Sequence, residues 1–172
     1  MNLTFKNRIA FLYMLATAIV MASVFVVIYL IVQSTVYRHL DSDLQYEVAK
    51  HQTEIVFEGD SIRFDHKNEW MEREHNEVQV HPVFLQIIDA KGRVMDKSPN
   101  LKEANLTFES ARTANDHFNT VMEGREIRQV QMPVKSNGAV RGYILAAMSV
   151  EDSNRLVLNL RKVLLILFPL VL

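Results

Sequence analysis

Cysteine is absent from the sequence, and glycine and proline are scarce, with five and four copies among 172 residues. Without cysteine, no disulfide can support a small core, so any folded domain must depend on packing. That condition is common in bacterial envelope proteins and less so in animal ectodomains. The sequence therefore favours a bacterial envelope protein over an animal ectodomain.

No charged residue occurs from Ile9 to Val32. As a helix this run is about 36 Å long, enough to cross a hydrocarbon core of about 30 Å. A second apolar run, from Val163 to Leu172, is too short for another crossing. We predict a cytoplasmic tail at 1–8, a transmembrane helix at 9–32 and the start of a second one at 161–172. We therefore expect this chain to be the front part of a longer protein.

The N-terminal flank indicates orientation. Lys6 and Arg8 precede the first run, which places the N-terminus in the cytoplasm and residues 33–160 outside the bacterial cytoplasmic (inner) membrane. Ala16-Thr17-Ala18 resembles a signal-peptide cleavage site. Cleavage is the lesser alternative, because a membrane-length apolar stretch follows that site.

A clustered basic surface is also missing. Residues 33–160 carry 15 basic and all 20 acidic residues, a net charge of −5 with histidine neutral. Basic and acidic residues are interspersed along the chain. Binding to a nucleic-acid phosphate backbone requires a clustered basic face. We therefore expect no nucleic-acid partner.

A long helix is predicted beyond the membrane, because no glycine or proline occurs from Gln33 to Glu58. An apolar stripe on this signal-transmission helix, 33–58, consists of Val36, Leu40, Leu44, Val48 and Ile55. It is either the face that the helix turns to its own core or a coiled-coil seam between two protomers.

A mixed α/β region is predicted at 59–150. We expect a strand at 78–88, a turn at 89–92 whose Gly92 has a positive φ, and a returning strand at 93–96. A helical or irregular crossover should fill 101–122. A half-solvated strand at 127–134, with Gln129 and Gln131 facing water, should lead through the Asn137-Gly138 hairpin into a central strand at 143–148. Ser149, with Asp152 three residues on, should begin the last helix.

Four histidines, His51, His66, His75 and His81, lie in the first half of the predicted domain. None has the spacing that brings two imidazoles to one metal, so we expect dispersed surface histidines and assign no metal site. His66 and His75 are the weaker alternative for a proton or divalent-cation site, because acidic residues surround them.

Three segments carry a family resemblance: IleIleAspAlaLysGlyArgValMet at 87–95, MetProValLys at 132–135 and GlyTyrIleLeuAlaAlaMetSerValGluAsp at 142–152. In this order between two apolar helices, they resemble the N-terminal part of bacterial two-component sensor histidine kinases. The resemblance implies an α+β fold, a membrane-anchored extracytoplasmic PAS-like domain with a long N-terminal helix and an antiparallel sheet.

The resemblance also implies a function: sensing an unknown envelope ligand and signalling across the membrane. It implies a homodimer and, beyond this chain, an ATP- and Mg-dependent histidine kinase core that acts on a cognate response regulator. No catalytic or cofactor-binding residue is carried over to these residues. A chemoreceptor, a cyclic-dinucleotide enzyme and a non-signalling envelope anchor are the alternatives.

Overall fold

The computed structural model describes residues 5–58, 61–65, 82–112 and 115–171. Over these ranges the protein is α+β, with a long N-terminal helix and an antiparallel sheet, as predicted. The helices are α1 (Phe5–Gln52) and α2 (Glu151–Val171), with a short 3-10 turn at Pro99–Leu101. The strands are β1 (Ile55–Glu58), β2 (Ser61–Phe64), β3 (Val83–Asp89), β4 (Val94–Lys97), β5 (His117–Met122), β6 (Arg125–Ser136) and β7 (Ala139–Ser149).

The chain divides into two compact units. The first consists of residues 1–37 with 152–172, and the second consists of residues 38–151. The second unit contains the seven strands found in the described ranges and the last turns of α1.

The main sheet has five antiparallel strands in the order β4-β3-β7-β6-β5. β3 and β7 pair over their full common length, from Val83 opposite Met148 to Asp89 opposite Gly142. β1 and β2 form a separate antiparallel hairpin. The predicted strand at 78–88 is observed from Val83 onward, and residues 78–81 lie outside the described ranges.

The predicted turns are confirmed. Gly92 has a φ of 81°, and Asp89 closes this turn by accepting hydrogen bonds from the N–H groups of Lys91 and Arg93 at 2.9 and 2.8 Å. Asn137 and Gly138 have φ values of 52° and 80°, as the two-residue turn between β6 and β7 requires.

The prediction of one helix from 33 to 58 is wrong in its last turn. α1 ends at Gln52, and Ile55 lies in β1. The N–H of Glu54 donates to the carbonyl of His51 at 3.1 Å, which closes the helix without a glycine. The β-branched and aromatic residues that follow, Ile55 to Phe57, then pair with β2.

The prediction of a crossover up to 122 is also too long, because β5 occupies His117–Met122 and pairs with β6. Glu123 and Gly124, with φ values of 50° and 79°, form a second two-residue hairpin turn. The last helix begins at Glu151 rather than at Ser149. Ser149 ends β7, and its hydroxyl accepts the N–H of Glu151 at 3.2 Å.

Both faces of the main sheet are covered. On one face, side chains from the last turns of α1 and from β2 pack against alternate residues of β3, β6 and β7. On the other face, the segment after β4 packs against the intervening residues, with Leu101 and Leu106 in contact with Phe84 and Leu145. Side chains alternate across a strand, so β3 contributes to both cores.

Gly142 should be indispensable to this sheet. A Cβ atom at this position would overlap the carbonyl oxygen of Ile88 and lie 2.8 Å from Cδ1 of Ile62. We expect Gly142→Ala to lower the free energy of unfolding by more than about 3 kcal/mol, because the sheet backbone cannot yield. Val140→Ala, at a half-exposed position of the same strand, is the control. Equal thermal midpoints for the two variants by circular dichroism would contradict this account.

Candidate functional site

The last turns of α1 within the second unit form the contact between the helix and the sheet. Leu44 and Val48 are fully buried and belong to the same core as Phe64, Leu85 and Ile144. Burying a leucine or valine contributes about 1.5–3 kcal/mol each. The position of this part of α1 is therefore fixed by the core of the domain.

A buried ionic cluster lies directly beyond these two residues, at the end of α1. His51 is 0% exposed, with Nδ1 at 3.0 Å from Oε2 of Glu54 and Nε2 at 3.5 Å from Oε2 of Glu47. The ring of Phe64 meets the imidazole edge-on, with centroids 5.8 Å apart. We call His51, Glu47, Glu54 and Phe64 the His51 site.

The pKa of His51 follows from these neighbours. Burial alone lowers it, because the charged imidazolium loses water. The contacts with the negative carboxylates of Glu47 and Glu54, including the hydrogen bond between Nδ1 and Glu54, outweigh burial, and the pKa of His51 is raised above its ordinary value of 6.5. The imidazole of His51 therefore binds a proton more tightly than an ordinary histidine side chain does.

A second ionic contact joins α1 to the sheet. Arg128 of β6 donates from Nη2 to Oδ2 of Asp41 at 2.9 Å and from Nε to Oδ1. Nη1 of the same guanidinium donates to Asn119 at 2.9 Å. Both partners are mostly buried, with side-chain exposures of 17% and 25%. This two-point pairing fixes the direction as well as the distance of the contact.

The opposite face of the sheet binds the segment after β4 through glutamine side chains. Gln131 accepts the N–H of Glu109 at 3.2 Å and donates to its carbonyl at 2.7 Å. Gln86 accepts the N–H of Leu106 at 2.9 Å, and Gln129 donates to the carbonyl of Thr107. The prediction that Gln129 and Gln131 face water is wrong, since both are at most 2% exposed. The segment after β4 is not a strand, and the side-chain amides of these glutamines form hydrogen bonds with its backbone N–H and C=O groups.

The described residues of the first unit are helical. α1 is the only helix in the described ranges that is long and apolar enough to cross a membrane by length and composition. Phe25 of α1 and Phe168 of α2 meet edge-on at 6.4 Å, and the hydroxyl of Tyr37 donates to Asn154 at 3.0 Å. The second crossing at 161–172 stays a prediction.

The residues of the predicted stripe have different environments. Leu44 and Val48 are fully buried, and Val36 and Leu40 are partly buried. Ile55 has left the helix but packs, half-buried, against the same core from β1. The role of these residues in signalling stays a prediction.

The histidine predictions have mixed outcomes. His51 is not on the surface, which corrects the expectation of a dispersed surface histidine. His66 and His75 lie outside the described residues, and in the ranges that the structure does describe no group of three His, Cys, Asp or Glu side chains could hold a metal. The sequence signal for this site is a carboxylate four residues before His51 on α1 and another three residues after it in the following turn, since side chains at these spacings lie close together on a helix or one turn beyond it.

A comparison with protein families shows where this chain belongs. The family described as "Two-component sensor kinase N-terminal" matches residues 17–158, most of the chain. The chain belongs to this family. It is thus the N-terminal sensor portion of a two-component sensor kinase, as the resemblance predicted. In this sensor portion, the family match includes the end of α1, the main sheet and the His51 site. Searches of curated proteins and of solved structures found no match.

The contact between Asp41 and Arg128 should stabilise the sensor portion measurably. In a double-mutant cycle with Asp41→Ala and Arg128→Ala, we expect a coupling of about 1–2 kcal/mol in the free energy of unfolding, because the pair is two-pointed and mostly buried. His39 and Asp43 are the control pair. They lie 3.7 Å apart with exposures of 81% and 45%, and their coupling should stay below about 0.5 kcal/mol. Equal couplings in denaturant titrations would show that burial adds nothing to the first pair.

Proposed function

We propose that this sensor portion is anchored in the bacterial inner membrane, holds a PAS-like domain outside it and signals through α1 to a histidine kinase core. The continuity of α1 from Phe5 to Gln52 carries the proposal. One helix supplies a membrane-length apolar segment and, further along, two fully buried residues of the sheet domain, Leu44 and Val48. Because the helix is continuous, a displacement at one end can be transmitted to the other.

The PAS-like assignment has support from the arrangement of elements. A long N-terminal helix, a five-stranded antiparallel sheet with an irregular crossover and a helix that follows the last strand directly are the parts of this layout. The ligand of such a domain is an unidentified envelope molecule or condition. A stimulus can change the output only by favouring one of two arrangements of the domain.

A homodimer is part of the proposal. On the side of α1 away from the core, Ser42, Tyr46 and Ala49 are exposed at alternating spacings of four and three, and Tyr46 is 68% exposed. With Ser42 and Ala49 at position d of a heptad and Tyr46 at position a, Arg38 is at position g and Asp43 at position e. Side chains at g and e pair between parallel helices. Their opposite charges favour a second copy of the chain.

The remaining partners belong to the rest of the kinase. ATP and Mg would bind the kinase core, and a cognate response regulator would accept the phosphoryl group. These assignments follow from the resemblance to sensor histidine kinases, and membership of the sensor kinase N-terminal family supports that resemblance.

The absence of native cysteine gives a direct test of topology. We expect Glu123→Cys in intact, outer-membrane-permeabilised cells to react with a membrane-impermeant maleimide, because residues 33–160 are proposed to lie outside. Lys6→Cys should react only after lysis. The chain should also stay in the membrane pellet after alkaline extraction. Labelling of Lys6→Cys alone in intact cells would contradict the topology.

Leu44→Asp tests the helix as transmitter. A charge at a fully buried position should release the helix from the core, so that basal phosphorylation in the complete kinase departs about fivefold or more from the parent level, as a shift of about 1 kcal/mol produces. Gln45→Asp, at the adjacent exposed position, should leave phosphorylation unchanged. Membrane abundance is measured by immunoblot in parallel. Unchanged basal phosphorylation of Leu44→Asp at normal abundance would contradict transmission through α1.

A further inference from the structure

We propose that the His51 site is a proton-binding site through which external pH controls the packing of α1 against the sheet. The inference deepens the proposed function and depends on it only for the effect on kinase output. The proton site itself is carried by contacts within the second unit.

The first argument is the hydrogen-bonding capacity of imidazole. Both ring nitrogens of His51 face carboxylate oxygens, at 3.0 Å for Glu54 and 3.5 Å for Glu47. A neutral imidazole has one N–H, whereas an imidazolium has two. Only the protonated ring can therefore present a donor to both carboxylates. After deprotonation, one buried carboxylate faces a nitrogen lone pair.

The second argument is the position of the cluster. Glu47 and His51 belong to the last two turns of α1, Glu54 to the turn after it and Phe64 to β2. The carbonyl of Glu54 also accepts the N–H of Asp65 at 2.8 Å. When the imidazole loses its charge, its hydrogen bond to Glu54 becomes weaker, and the joint between α1 and the β1–β2 hairpin weakens with it.

Other charged groups near the end of α1 have their own contacts. Asp96 of β4 accepts the N–H of Phe64 at 3.4 Å, and Arg128 of β6 pairs with Asp41. Asp65, after β2, is exposed to solvent.

Two further basic groups belong to the elements that form the site. Arg63 alternates along β2 with the buried Ile62 and Phe64, so it lies on the other face of that strand. Lys50 precedes His51 in the last turn of α1 and is half-buried. Glu47 and Glu54 contact the imidazole directly.

The sign of the pH dependence follows from the direction of the shift. The pKa of His51 is raised in the folded chain, since the two carboxylates outweigh burial. The added stability is therefore fully present below the unfolded pKa of about 6.5. It is lost as pH rises through the higher pKa of the folded state. Acid should hold α1 against the sheet, and alkali should release it.

The first experiment measures protonation and stability in the full 172-residue chain in detergent micelles. With histidine ring nitrogens labelled for NMR, the resonance that His51→Gln removes should titrate with a midpoint above 6.5. Glu47→Gln and Glu54→Gln should each lower that midpoint. The thermal midpoint should fall by about 4 °C or more as pH rises through this range.

Two variants separate His51 from other titrating groups in the thermal measurement. His51→Gln should lose this part of the pH dependence. His39→Gln should keep it, because His39 lies 3.7 Å from the carboxylate of Asp43 on the same helix but is 81% exposed.

The second experiment measures movement. Spin labels at Gln45→Cys on α1 and Val121→Cys on β5, both exposed positions of this cysteine-free chain, report the distance between helix and sheet. Dilution with unlabelled chain suppresses distances between protomers. Between about pH 5.5 and about pH 8.5 we expect the main distance to shift by about 2 Å or to broaden. The same change should be absent in the labelled His51→Gln chain.

Some outcomes would overturn the proton site. These are a His51 midpoint at or below 6.5, an unchanged midpoint in both glutamine variants, or an equal distance shift with and without His51. A pH-dependent distance in the parent chain, lost in His51→Gln but without effect on phosphorylation in the complete kinase, would support the proton site. That last result would contradict only the role of α1 as transmitter.

Discussion

The packing of Leu44 and Val48 against the sheet is the interaction on which the second unit depends. These two residues fix the last turns of α1 on the sheet, both along the helix axis and in rotation about it. The positions of Asp41 and His51 on the same helix follow from this. Protein cores are close-packed, so a helix held in this way cannot slide gradually. It can exchange only between discrete packings, and that is the physical condition for a switch.

The sheet couples its two faces because the same strands contribute to both cores. On β3, Leu85 faces the end of α1, whereas Gln86 faces the segment after β4 and binds the backbone of Leu106. The helix side is mainly apolar and the other side is held by directed amide hydrogen bonds. A displacement of β3 is therefore tolerated on the apolar side more readily than on the amide side, where distance and angle both matter.

Local patterns predicted the fold well, and distant contacts escaped prediction. Asn137-Gly138 and Gly92 specify turns through their own backbone preferences. Periodicity put Leu44 and Val48 on an apolar helix face and left open whether that face packs on the core or on a second helix. The end of α1 at Gln52 was not predicted, because a backbone hydrogen bond closes this turn and no glycine or proline marks it. The pairing of Asp41 with Arg128 depends on two segments 87 residues apart, for which a single sequence has no local signal. The burial of Gln129 and Gln131 escaped for the same reason, since polar alternation normally indicates a solvated face.

Stability alone gives little reason for an ionic cluster at the end of α1. A buried ion pair is often no more stabilising than apolar side chains of the same volume, because desolvation offsets the attraction. Around His51 the charges are also uneven, since two carboxylates with an imidazolium leave a net charge of −1 and with a neutral ring −2. The change from −1 to −2 is the loss of one proton to the surrounding water. An apolar replacement would pack the same joint without any dependence on pH, so the distinct property of these side chains is their response to protons.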